Sequence, residues 1–368
     1  MRRDLILHIG ASKTGTSALQ RGLFDSAPQL EAAGIGLPYL SRDESLRGIL
    51  RPFGWRTARG FAEPFDEARV ARIGRRLRRT PGDRLLVTNE DLCEARVDRI
   101  QRFVDIADDA GLDTRVVLSV RVITSVVPSE WQQFLKHRMT LDYPTFLERL
   151  HTREGPWAEH FWQRQDVAAT LQRWGSVVGT DRLDVVVTPD RATDPDGLYR
   201  HFGALLGFDP TVMSWPTDDI NASWGYTEAE VYRRANAALG SRLPSYETDY
   251  VPGLRTWLVR GALKRGASAR ITVPPDAVAW LRDVAHGHVA AVRDVGIRAH
   301  GDLDALVPDA DAGSPLPELR DDEIAEAAIS TIADMAVMQL RARRREESGA
   351  APRRAADVRR EQQQPERP

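Results

Sequence analysis

Gly10-Ala11-Ser12-Lys13-Thr14-Gly15-Thr16-Ser17 decides how this chain is read. An apolar run, Leu5-Ile6-Leu7-His8-Ile9, precedes it, and a helical pattern, Ala18-Leu19-Gln20-Arg21-Gly22-Leu23-Phe24, follows it. Strand, glycine loop and helix in that order form an anion cradle. The loop's N–H groups and the helix N-terminus converge on one point, and the helix dipole adds to the attraction. Two glycines, one lysine and four hydroxyl side chains within eight positions favour a phosphate ligand over a plain turn.

The spacing is almost that of the ATP-binding loop G-x-x-x-x-G-K-[ST]. Gly10, Gly15 and Ser17 occupy matching positions, but Thr16 stands where the lysine belongs and Lys13 lies inside the loop. A lysine three residues earlier meets a different part of a nucleotide. Two further places carry polar groups to strand ends. Arg121 closes the apolar run Val116–Val120, and Ser129 follows eight residues later in a helical stretch whose first turn suits Pro128. A guanidinium and a hydroxyl so placed can grip a second phosphate. Asn89-Glu90-Asp91 follows the run Leu85–Thr88. Glu90 there admits three readings: a catalytic base, a Mg²⁺ holder with Asp91, or part of a helix start capped by Asn89 or Asp91. His8, in mid-strand, reads as a hydrogen-bonded structural residue.

The loop, written His8-Ile-Gly-x-x-Lys13-Thr14-Gly15-Thr16-Ser17-x-Leu19-Gln20, resembles the 5′-phosphosulfate loop of sulfotransferases that use 3′-phosphoadenosine 5′-phosphosulfate (PAPS). The spacing Arg121-x₇-Ser129 is similar to that family's 3′-phosphate motif. The resemblance implies that Lys13 contacts the bridging oxygen, that Thr14, Gly15, Thr16 and Ser17 hold the 5′-phosphate, and that Arg121 and Ser129 hold the 3′-phosphate. It implies that Glu90 is the base, with Asp91 a weaker candidate, and that no metal is needed. The strand 181–187, the segment 195–198 and Asn221-Ala222-Ser223 extend the likeness loosely; the last is read as a turn. The alternatives are a small-molecule kinase using ATP and Mg²⁺, and a non-catalytic nucleotide-binding interaction protein.

The chain has 368 residues, 42% hydrophobic, with a formal net charge of −2 and one cysteine, Cys93. Near-neutral charge points away from nucleic acid. A lone cysteine excludes an intrachain disulfide and a cysteine-based zinc site. No apolar run approaches a signal-peptide core or a membrane span, so a cytoplasmic location is expected.

Alternating strand and helix signals predict an α/β, P-loop-like three-layer fold with a mainly parallel sheet and a C-terminal helical extension. Strands are expected at 5–9, 85–88, 116–120 and 183–187. Helices are expected at 17–33, 66–79, 96–110, 125–137, 143–150, 158–175 and 198–206. Beyond residue 210 the sheet signal fades. A capping box, Thr227 to Glu230, opens a helix to about 239; further helices cover 276–294 and 320–342. Ile324, Ile329, Ile332, Met335 and Met338 are read as one core-facing or dimer-facing stripe, which leaves a homo-oligomer open. The expected organisation is a nucleotide-binding core at 1–215, a helical part completing it at 216–342, and a disordered tail at 343–368. The stretches 36–65 and 135–160 are expected to shape a site for a small-molecule, lipid or carbohydrate acceptor; Trp55, Phe61, Trp157 and Trp162 are read either as stacking surfaces for it or, more simply, as partly buried packing residues.

Overall fold

A computed structural model describes residues 2–53, 66–215, 223–259, 263 and 268–347. In chain order it begins β1 (Arg3–His8), α1 (Thr16–Asp25), α2 (Ala27–Ala32), β2 (Ile35–Gly36), α3 (Arg42–Ser45), α4 (Glu67–Arg79) and β3 (Arg84–Thr88). There follow α5 (Val97–Asp109), β4 (Leu112–Val120), α6 (Ile123–Leu135), α7 (Tyr143–Thr152), α8 (Pro156–Gln165), α9 (Val167–Val178) and β5 (Leu183–Val187). The remainder is α10 (Gly197–Leu206), α11 (Tyr226–Leu239), α12 (Pro275–Asp294), β6 (Arg298–His300) and α13 (Asp321–Glu347).

The six strands form one sheet in the order β2-β3-β1-β4-β5-β6, and every pairing is parallel. Parallel strands covered on both faces must be apolar on both, which is why Leu5–Leu7, Leu85–Val87, Val116–Leu118 and Val185–Val187 are continuous apolar runs. Side-chain alternation divides them. Leu5, Leu7, Val116, Leu118 and Val120 pack with α4, α5 and α9 on one face. Ile6, Leu86, Val117 and Val186 pack with α1, α2 and α10 on the other. The result is the expected three-layer α/β arrangement. The chain leaves β1 toward β3 and later crosses to β4 on β1's other side, so the switch point lies at the C-terminal ends of β1 and β4.

By contacts the chain divides into two compact units. The first spans 1–222 with 271–317, because α12 and β6 return to the sheet layer. The second spans 223–270 and 318–368 and contains α11 and α13. Within it Tyr250 donates to Asn236 (2.7 Å), and Arg234 pairs with Asp321 (3.0 Å).

Several sequence expectations change. The expected helix 17–33 breaks at Ser26, where Pro28 sits in the first turn of α2. The expected helix 158–175 is two, parted at Asp166, whose carboxylate caps α9 through the Ala169 N–H. Helix α6 starts earlier than expected, so Pro128 lies in its second turn and the bond to the Thr124 carbonyl is lost. There is no Thr227–Glu230 capping box. Helix α11 starts at Tyr226, its Thr227 N–H goes to the Ser268 hydroxyl (3.1 Å), and Glu230 pairs with Arg233 and Arg234. β2 and β6 were too short to show a period. Helix α13 runs past 343 to Glu347, since arginine and glutamate are good helix formers; the tail beyond 347 lies outside the described residues. Its apolar residues form two faces, not one. Ile324 is buried, whereas Ile329 and Ile332 are 68% and 67% exposed, because five and eight residues turn a helix through about 140° and 80°.

His8 is fully buried between neighbouring strands, with Nδ1 2.8 Å from Thr88 Oγ1 and Nε2 2.8 Å from Ser119 Oγ. Burial lowers its pKa to about 3. The folded protein thus keeps His8 neutral where the unfolded chain protonates it below about 6.5. This contribution to stability is complete above pH 6.5 and is lost as pH falls toward 3. The parent should therefore lose ~1 kcal/mol more stability than His8→Gln between pH 7.0 and 5.5, measured by urea unfolding.

Candidate functional site: a loop with two unneutralised cations

The loop between β1 and α1 is shaped by its glycines. A Cβ on Gly10 would sit 2.9 Å from both His8 Nε2 and Thr16 Cγ2. Gly15 has φ 78°, and a Cβ there would meet Leu198 at 2.8 Å. Lys13 also takes a left-handed conformation, φ 65°, which costs a non-glycine residue of order 1 kcal/mol. The bends are held from outside. Ala11 N–H donates to Ser119 O (2.9 Å), Thr188 N–H to Val120 O (2.8 Å), and Thr188 Oγ1 to Thr14 O (3.0 Å). Thr188 thereby joins the loop to the end of β4, beside Arg121.

Thr14 and Thr16 are buried, and the Thr14 hydroxyl donates to Ala11 O (2.7 Å). Their side chains are turned inward, so what they offer an anion is the backbone N–H. Gly15 and Ser17 are exposed. Helix α1 has no side-chain cap and no acidic residue in its first turn. Its leading N–H groups have no partner within the helix.

Two cations flank this N-terminus. Lys13 Nζ donates to Gln133 Oε1 (3.1 Å), and Gln133 Nε2 lies 3.1 Å from His137 Nε2. Burial lowers the Lys13 pKa. Arg121 borders a small hollow shared with Ala11, Gln165 and His288. Its Nε is buried with no hydrogen-bond partner, and burial lowers its pKa against the pull of Asp190. Among the described residues neither cation has a carboxylate in salt-bridge contact. Ser129 lies on α6 and spends its hydroxyl on Ser125 O of the same helix (3.2 Å).

The acidic side is fully engaged. Glu90, 7% exposed, accepts from Gln20 Nε2 (2.9 Å) at one oxygen and pairs with Arg42 Nε (3.0 Å) at the other. Asp91 pairs with Arg42 (2.9 Å) and Arg164 (3.1 Å). Arg164 also binds Glu94, and its Nε donates to Ser12 Oγ (3.2 Å). Burial works against the charge of Arg164, but Glu94 and Asp91 outweigh it and hold the guanidinium well above its ordinary pKa. Burial pushes the Glu94 carboxyl upward against Arg164. Ser12 in turn bonds to the buried carboxylate of Glu130 and accepts from Gln165 Nε2 (2.9 Å). Asn89 caps the short turn Glu90–Glu94 through the Asp91 N–H (3.0 Å). The cap therefore comes from Asn89, and the Glu90 side chain is spent on Gln20 and Arg42 rather than on the turn. Two guanidinium groups beside Glu90 and Asp91 make a poor place for a divalent cation.

The structure thus brings Lys13, Thr14, Gly15, Thr16, Ser17, Glu90 and Arg121 to one edge of the sheet. Arg42, Arg164, Glu94, Glu130 and Gln133 join them without any local signal in the sequence. Trp162 is not an acceptor platform. It is 6% exposed, donates to Leu150 O (2.9 Å) and packs on Phe161. Trp157 packs on Phe134. Trp55, Phe61, Asn221 and Ala222 lie outside the described residues. No helix among those described is long and apolar enough to cross a membrane.

Among solved structures, a sulfotransferase from Alicyclobacillus acidocaldarius is similar to 66% of this chain and 96% of its own, at 18% identity and a TM-score of 0.40. A likeness that distant assigns no residue a role. No protein-family model matches the chain, and no curated protein does.

Arg164 is 7% exposed at its side chain, as is Glu94 at 6%. Arg164→Ala would leave the buried Glu94 carboxylate without its guanidinium partner and Asp91 with Arg42 alone, and should cost about 3–5 kcal/mol. Arg42→Ala should cost less than Arg164→Ala, because Arg42 is 45% exposed, Asp91 keeps Arg164 and Glu90 keeps Gln20. Denaturant midpoints at pH 7 measure both.

Proposed function

We propose that this protein transfers a sulfonate group from PAPS to a hydroxyl or amine, releasing adenosine 3′,5′-bisphosphate. One observation carries the reading: Lys13 and Arg121, two half-buried cations with no carboxylate in salt-bridge contact among the described residues, stand at the ends of adjacent strands at the sheet's switch point. Unpaired buried charge is costly, so such cations call for anionic ligands. Two of them fit a nucleotide that carries phosphate on both its 5′ and 3′ sides. The fit rests on three features of the chain: the orphaned Nε of Arg121, the uncapped start of α1, and the left-handed turn at Lys13 and Gly15.

In this reading the N–H groups of residues 14–17 and the Lys13 ammonium hold the 5′ end, and Arg121 with Ser129 holds the 3′-phosphate. PAPS supplies an activated sulfonate for in-line displacement at sulfur. Lys13 stabilises the negative charge that develops on the departing phosphate oxygen, at a site already oriented for it. Gln133 keeps the ammonium in place until the anion replaces it. Glu90 takes the proton of the acceptor hydroxyl or amine as the new bond to sulfur forms. Gln20 fixes one of its oxygens. The other faces half-exposed Arg42, so it is the oxygen an acceptor can reach. The acceptor is a small molecule, lipid or carbohydrate.

Calorimetric titration with adenosine 3′,5′-bisphosphate should show binding that Mg²⁺ does not alter and that exceeds the binding of ATP. Lys13→Ala should lower kcat by about 10²–10³, while Arg121→Ala should chiefly raise the KM for PAPS. A Lys13→Ala protein as active as the parent, or ATP binding that is tighter and dependent on Mg²⁺, would overturn the proposal.

A further inference from the structure

Helix α13 carries an exposed apolar face opposite its packed one. Ile329, Ile332, Val337 and Leu340 are 68%, 67%, 46% and 48% exposed. Ala333 and Ala336 are exposed on the same side. At 100° per residue these six positions fall within a sector of about 140°. The packed side holds Ile324 and Thr331, both buried, with Met335 and Met338 half-buried. An amphipathic helix in a unit of its own should not need a second apolar face of this kind.

The order of residues on the exposed face says what covers it. From one end it reads Glu326, Ile329, Ile332, Ala333, and from the other Arg343, Leu340, Val337, Ala336. About a point midway between residues 334 and 335 the two series superimpose. Alanine falls on alanine, a branched aliphatic on a branched aliphatic twice, and an acid on a base. Glu326, Ile329, Ala333, Ala336, Leu340 and Arg343 also follow the alternating three-and-four spacing of a heptad seam. A surface that matches its own reversal is self-complementary under a two-fold axis, which is the requirement of an isologous dimer.

We infer that α13 pairs with α13 of a second copy of this chain, antiparallel, about that point. Ile329 meets the other copy's Leu340, Ile332 meets its Val337, and the alanines let the backbones approach at the axis. Glu326 faces Arg343 at each end of the seam, so the charges favour the antiparallel register and penalise the parallel one. The seam from 326 to 343 is only about 27 Å long, so the expected dimer is modest, with a dissociation constant on the order of 1–100 μM. The inference is independent of the chemistry proposed above.

Sedimentation equilibrium of the full chain from 5 to 500 μM should show a monomer–dimer equilibrium. Ile332→Glu, a change at a solvent-facing position, should weaken it at least tenfold while leaving the circular dichroism spectrum intact. Glu326→Arg and Arg343→Glu should each weaken it, and the double exchange should restore it, because only the antiparallel register brings the two positions together. A chain that stays monomeric at 500 μM overturns the inference. So does a dimer indifferent to Ile332→Glu, or a double exchange no better than either single one.

Discussion

The site depends on the backbone reversal between β1 and α1. Gly15 takes a conformation closed to most residues, and Lys13 takes it against its own preference. Neither bend would persist alone. The Thr188 hydroxyl on the Thr14 carbonyl and the Ala11 N–H on β4 over-determine the loop from two neighbouring strands. Strain kept in place by several independent bonds is the usual condition of a functional turn.

Around that loop the charges fall into two sets. Arg42 and Arg164 pair with Glu90, Asp91 and Glu94, two guanidinium groups against three carboxylates. Among the described residues Lys13 and Arg121 have no carboxylate in salt-bridge contact. Burial does not explain the difference, since the first set itself holds half-exposed Arg42 and nearly buried Arg164. The difference separates cations that hold the architecture from cations left available to an anion. The paired set has a positional consequence. Arg164 reaches Ser12 within the loop and Asp91 just past β3, and thereby ties the anion cradle to the strand end that carries Glu90. A buried ionic network of this type adds little net stability compared with apolar packing, but losing one member is costly.

How much of this was legible in the sequence follows from chain distance. The loop was readable because strand, glycines, lysine and helix lie within some twenty consecutive residues. The principal strands were readable because burial on both faces leaves an unbroken apolar run. β2 and β6, at two and three residues, are too short to carry a period. Arg164 and Glu130 could not be foreseen. They reach Ser12 across 152 and 118 residues, and only the closure of the sheet brings them there. The stripe on α13 was misjudged for a different reason. Isoleucines five apart look like one face in a list of apolar residues but point about 140° apart on a helix.

The engagement of Glu90 bears on the order of events in the proposed reaction. Gln20 belongs to α1, the helix whose N-terminus lies at the anion cradle, so one Glu90 oxygen is held by the same rigid element that the nucleotide would engage. The other oxygen faces Arg42, whose side chain is about half exposed and can shift its contact wholly to Asp91. Arg42 is the exposed member of this pair and Glu90 the buried one, so the partner free to move is Arg42. An acceptor hydroxyl can therefore displace Arg42 without uncovering a bare carboxylate, because Gln20 remains bound. The fixed partner preserves the aim of the base, and the loose partner gives the acceptor a way in. Held by two rigid partners, Glu90 would be well ordered but closed to substrate.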